Sequence, residues 1–154
     1  MTNKSSDLKT SLFKLEETLD LYLIKKAPFQ IPGNIKELIV KFGPYLTLIG
    51  VVISLPMILV ALGLGTVLAP LGLMSGAGVG LTGIVGAVVL AVCLVLEAMA
   101  LPGLFKRLRK GWNLMFYATL VNALYNLVTF NLGGLIIGTL VSLYILFQIK
   151  ELYK

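Results

Sequence analysis

Histidine is absent from the 154 residues, cysteine occurs once, as Cys93, and the acids number only seven against thirteen Lys and Arg. Without histidine and with one thiol, the chain has no intrachain disulfide, no thiolate–imidazole pair and almost no way to build a zinc or haem site. Charge of either sign is scarce at 13%, about half of what a soluble domain carries to coat its surface. So few ionisable groups leave no nucleophile–base pair and no pair of catalytic acids, so the expectation is a protein that is not an enzyme and takes no cofactor and no metal. A secretory leader is not expected either, because residues 1–41 lack an early apolar run and hold five of the acids.

What is abundant is apolar: 58% of residues are hydrophobic and the mean hydropathy is +0.96. That balance points to lipid as the solvent. Four runs lack Lys, Arg and Asp: residues 45–69 (interrupted by Pro56), 81–101 (closed by Pro102-Gly103), 112–130 and 134–149. A helix crosses a ~30 Å hydrocarbon core with about 20 residues. The first two runs have that length, and the last two are short enough to stand upright or thin the bilayer. A Gly-rich link, residues 70–80, joins the first pair, and Asn131-Leu132-Gly133 turns between the second. The predicted architecture is an all-α membrane protein, with a four-transmembrane-helix bundle in residues 44–154. Residues 1–43 form a cytoplasmic or interfacial amphipathic arm.

Within the arm, Leu8, Leu12, Leu15, Leu19 and Tyr22 repeat at helical spacing, with Lys9, Lys14, Glu16, Glu17 and Asp20 largely off the stripe. Pro28 and Pro32 stop this helix near Lys25-Lys26. Asn34 caps a second short turn, residues 35–42, which Gly43-Pro44 is expected to interrupt. The stripe fits two surroundings: protein, as a helix packed on the bundle or on a second copy, and lipid, as a helix lying on the membrane.

The cations fall in residues 1–41, 106–110 and 150–154, while both links that would lie opposite carry none. Four spans with every cation on one side satisfy the positive-inside rule with both termini cytoplasmic. The lysine-dominated composition (only Arg107 and Arg109 are arginine) favours a bacterial inner membrane. The cluster Lys106, Arg107, Arg109 and Lys110 is hemmed between two spans without interleaved aromatics, so it reads as a topology anchor at lipid headgroups and not as a nucleic-acid site. Tyr45, Phe105, Trp112, Phe116, Tyr117 and Tyr153 are expected as an aromatic belt at the same level.

Gly78-Val79-Gly80-Leu81-Thr82-Gly83 matches the dinucleotide G-x-G-x-x-G pattern but lacks its strand and βαβ unit. Packing explains it better. Gly80, Gly83, Ala87 and Ala91 share one arc of the second span, as do Gly134, Gly138 and Ser142 on the fourth, and small faces let membrane helices approach closely. On the third span Thr119, Asn122, Asn126 and Thr129 fall within an arc of about 80° at 100° per residue. Amides avoid lipid, so this stripe should face the bundle interior, either as interhelical glue or as the lining of a solute path. Glu97 is the lone acid within a span, near the cytoplasmic side, where Lys106, Arg107 or Arg109 could pair with it. Cys93, one turn away, reads as a small packing residue. Two functions follow: an interaction, scaffold or accessory component of the membrane, binding lipid and either a second copy or another membrane protein, or a small oligomeric transporter or channel with Glu97 and the Asn122/Asn126 stripe along its path.

Overall fold

The computed structural model describes residues 3–27, 29–61 and 81–154, and every regular element among them is helical. Helix α1 spans Asn3–Asp20 and continues into a π-helical turn, Leu21–Lys25. Helix α2 runs Gly33–Ala61, α3 Leu81–Phe105 and α4 Arg109–Val128. The last helix, α5, opens as a π segment, Gly134–Leu140, and closes as a regular one, Val141–Gln148. A short 3₁₀ turn, Lys150–Leu152, follows. Residues 62–80 lie outside the described residues, and with them the anticipated Gly-rich link, the end of the first run and Gly80.

Two of these helices are long and apolar enough to cross a membrane, Gly33–Pro56 and Val85–Phe105. Helix α4 is diluted by Asn113, Asn122, Asn126 and two tyrosines, and Gly134–Gln148 is a shorter apolar helix. The expected break at Gly43-Pro44 does not occur. Helix α2 carries both Pro44 and Pro56 inside it and continues for 29 residues, about 43 Å at 1.5 Å per residue. Proline removes one backbone donor without forcing the chain to stop. Hydroxyls nearby add bonds to the carbonyls: Thr47 Oγ1 donates to Gly43 O at 3.0 Å and Ser54 Oγ to Gly50 O at 2.8 Å. Pro102 is likewise inside α3, which ends three residues later, at Phe105.

Helix α2 packs on α3, α3 along α4, and α4 against α5, but among the described residues no comparable packing joins α2 to α5. The tightest crossing lies where α3 meets α4. A Cβ on Gly103 would come within 2.7 Å of Gly111 Cα, and one on Gly111 within 2.6 Å of the Gly103 carbonyl carbon. Higher up, the Tyr125 hydroxyl lies over Gly86, 2.6 Å from where its Cβ would be. Ala87 is buried in the same region, whereas Ala91 is half-buried.

One end of the molecule collects the helix ends and nearly all charge. A core of Val40, Ala100, Leu104, Trp112, Phe116, Phe147 and Tyr153 sits there, with Leu19, Leu23 and Ile24 of the arm against it. Trp112 is fully buried and donates from Nε1 to the Leu146 carbonyl at 2.7 Å, one of the last carbonyls of α5 that helix geometry leaves without a partner. Its ring stacks on Phe116 at 5.5 Å and meets Phe147 edge-on at 5.3 Å. Trp112, Phe116 and Tyr153 are therefore core residues and not the surface belt anticipated for them. Tyr45, Phe105 and Tyr117 are exposed, with Tyr45 and Phe105 in edge contact at 5.1 Å.

Gln148, buried inside this end, ties the arm to α5: its Nε2 donates to Leu23 O at 3.0 Å, and its Oε1 accepts from Ile31 N at 3.4 Å. Ion pairs finish the junction. Arg109 pairs with Glu16, Lys150 with Asp20 and with Glu16 at 3.1 Å, Arg107 with Glu37 at 2.9 Å, and Lys36 with Glu151 at 2.7 Å. The arm thus rests on the bundle through Leu19, Leu23 and Ile24, while Leu8, Phe13, Leu15 and Tyr22 stay exposed.

Candidate functional site

Away from this end, large apolar side chains are exposed on every helix of the bundle: Leu46, Ile49 and Ile53 on α2, Val88, Val92 and Val95 on α3, Leu124 and Val128 on α4, Ile136 and Ile137 on α5. An aqueous surface does not sustain patches of that extent. The candidate site is the interruption in this apolar wall, where α2 and α5 fail to close.

The space between them is a cavity of about 560 Å³, within the range of about 300–1,000 Å³ typical of small-molecule sites. Each helix contributes polar groups: Thr47 from α2, Cys93 and Glu97 from α3, Thr119 and Asn122 from α4, Thr139 and Ser142 from α5. Its floor, towards the charged end of the molecule, is made by Leu104, Ile149 and the buried Tyr153. Burial pushes the Tyr153 phenol up, and the nearby Arg107 guanidinium pulls it part of the way back. Ile39, Leu46 and Ile145 cover the flanks.

Glu97 is half-buried in this cavity. Of the expected partners, Arg107 is held by Glu37 of α2 and Arg109 by Glu16 of the arm, and Lys106 is exposed and makes no ion pair with Glu97. Among the described residues no hydrogen bond or ion pair reaches its carboxylate. Because α3 runs through Pro102 to Phe105, Glu97 sits about 12 Å from that end along the axis.

The hydroxyls divide into two kinds. Thr119 donates to Met115 O at 2.9 Å and Thr47 to Gly43 O at 3.0 Å, so each offers the cavity only acceptor lone pairs. Thr139 differs. It is 6% exposed, and its Oγ1 is buried with no hydrogen-bond partner. An orphaned buried hydroxyl is uncommon enough to need a reason, and here it lies in a π-helical segment, a distortion enriched at functional sites.

The polar stripe of α4 splits between two places. Thr119 and Asn122 line the cavity. Asn126 is buried at the opposite end, where its Nδ2 donates to Asn122 Oδ1 at 2.7 Å and its Oδ1 accepts from Asn131 at 3.1 Å. Asn131 in turn accepts from Gly134 N at 3.0 Å, so these amides fasten the α4–α5 turn. Thr129 is exposed and donates to Tyr125 O at 2.8 Å.

Of the small residues expected to mediate packing, Gly134 does approach its neighbours closely, since a Cβ there would lie 2.5 Å from Asn126 Oδ1. Gly138 does not: a Cβ there would meet nothing within 4 Å, and both it and the exposed Ser142 face the cavity. Gly83 lies in the first turn of α3. Lys106 and Lys110 are exposed beside the paired Arg107 and Arg109. Thr47, Thr139 and Gln148 were not singled out by sequence; the signal available was a lone polar residue within an apolar run, which Gln148 and Thr139 both are. Among the described residues no group of acids, cysteine or histidine could hold a metal ion. Compared with protein families, characterised proteins and solved structures, the chain matches none.

Proposed function

We propose that this chain is a four-span protein of a bacterial inner membrane, with both termini cytoplasmic, that binds a small amphiphilic molecule entering sideways from the bilayer. The observation carrying the binding reading is the cleft left between α2 and α5, which gathers Glu97, Thr139, Ser142 and Asn122 in an otherwise apolar wall. Four spans are supported by the ion pairs, which draw the start of α2, the end of α3, the start of α4 and the end of α5 to one charged end. A continuous conduit through one chain has less support, because Asn126 and Thr129 are engaged at the far turn and Leu104, Ile149 and Tyr153 floor the cleft. No step of chemistry is assigned. The cleft binds.

The test is saturable labelling of the full-length protein in lipid nanodiscs by a neutral photoreactive decanol. Labels should map to α2 and α5 peptides lining the cleft, and Gly138→Leu should abolish them without loss of helicity. Labelling that rises linearly with probe and ignores Gly138→Leu would remove the binding reading. A second reading, an accessory component that contacts a partner through its arm, draws on the exposed flank of Leu8, Phe13, Leu15 and Tyr22. It predicts that removing residues 1–33 ends partner association while cleft labelling persists.

A further inference from the structure

We infer that the ligand of the cleft is a primary or secondary alkylammonium, its N–H groups taken by the Glu97 carboxylate and the Thr139 hydroxyl and its chain lying against Ile39, Leu46 and Ile145. The inference rests on the reading of the cleft as a binding site. Two independent observations carry it. Glu97 has no partner among the described residues, and a half-buried carboxylate without a counter-charge carries a desolvation cost. Thr139 has a buried oxygen with no partner, within the same cavity.

The class of ligand follows from the lining. One acid and no Lys or Arg among the lining residues select a monocation and repel an anion. The hydroxyls of Thr47 and Thr119 donate to their own helices, leaving acceptors that suit a cation bearing N–H donors. A quaternary ammonium has no such donors and is usually held in an aromatic cage, but Tyr153 is the single aromatic lining residue. A bare divalent metal ion would need more oxygen ligands, and more negative charge, than one carboxylate supplies. The volume of about 560 Å³ and the apolar flanks suit a head group with an alkyl chain, within the size range of small-molecule sites.

Three photoreactive probes with the same decyl chain separate the cases: the primary amine, the alcohol and the trimethylammonium. The full-length protein is placed in zwitterionic nanodiscs, and half-saturating labelling of the cleft peptides is read against the concentration of each probe in the membrane. The amine should saturate at a concentration at least tenfold lower than either of the others. Glu97→Gln should erase that preference while the alcohol labels as before, and Thr139→Val should weaken the amine severalfold with little effect on the alcohol. Equal saturation of amine and alcohol in the wild type, or an amine preference that survives Glu97→Gln, overturns the inference and leaves the binding reading standing. If neither probe saturates in the cleft, the binding reading fails as well. Should Glu97→Gln not assemble, the trimethylammonium comparison and Thr139→Val decide.

Discussion

Arg107 and Phe130 both have φ of 53°, the left-handed region that side chains with a Cβ rarely occupy. Each ends a helix in the same way. Leu108 N donates to Gly103 O at 2.7 Å and Arg107 N to Leu104 O at 3.1 Å; Asn131 N donates to Asn126 O at 2.8 Å and Phe130 N to Leu127 O at 3.2 Å. This paired closure normally places glycine at the left-handed residue. Its occupants here have other uses, since Arg107 pairs with Glu37 and Phe130 is 84% exposed, at the end of the molecule opposite the ion pairs. Phe130→Gly should therefore relieve backbone strain on the order of 1 kcal/mol, raising the midpoint of denaturant unfolding, while Phe130→Ile lowers it. If glycine destabilises as much as isoleucine, the ring is bound to something that outweighs the strain.

At the scale of helices, Gly103 and Gly111 form, among the described glycines, the one backbone contact that admits no side chain. Gly111→Val must push α4 away from α3 and with it the Trp112 cluster, so a loss of several kcal/mol is expected, in the range of overpacking combined with a core shift, read as failure to retain a folded monomer in mild detergent. Gly138→Leu, in contrast, enters open space and should leave unfolding within about 1 kcal/mol of wild type, as volume added outside a packed core does. Comparable damage from both would mean that the α2–α5 gap is closed in the working protein. Neither outcome was accessible to sequence periodicity. An i, i+4 search finds small faces on a single helix, as at Gly134 and Gly138, but is blind to a pair on two helices facing each other across a turn. The same limit explains the polar stripe: projection correctly groups Thr119, Asn122, Asn126 and Thr129 on one arc, but says nothing about which helix they meet at each height, so cavity and turn were merged. Thr139 and Gln148 were passed over, whereas helix existence, the stop after Lys25 and Glu97 as the lone acid in an apolar run were legible. The run of α2 through Pro44 was not, because proline weakens a helix without dictating that it end.

For the whole molecule, charge docks the arm and gathers the charged segments at one end. Glu16 and Asp20 face Arg109 and Lys150, which themselves lie over the Trp112 and Phe147 rings at 4.3 and 5.2 Å. Reversing Glu16 and Asp20 to lysine puts like charges together at a partly buried junction, so limited trypsin digestion at Lys25-Lys26 should quicken severalfold, whereas Glu17→Lys, on the exposed side, should leave it unchanged. The arm's lysines then bear on orientation. Every Lys and Arg belongs to the arm, the first ten residues of α2, the α3–α4 junction or the C-terminus, and the ion pairs hold these segments at one end. The opposite turn, at Asn131, is uncharged and closed by amides. Short basic segments stay cytoplasmic during insertion, so a reporter fused after Lys154 or inserted between Lys106 and Lys110 should read cytoplasmic, and one inserted at Asn131 should read external. Gly134–Gln148 is the shorter apolar helix and follows α4 through this turn, which makes Asn131 the informative site. A cytoplasmic reading there would return α4 and α5 to the cytoplasm as a hairpin, leaving α2 and α3 as the two spans and opening the cleft to water instead of lipid.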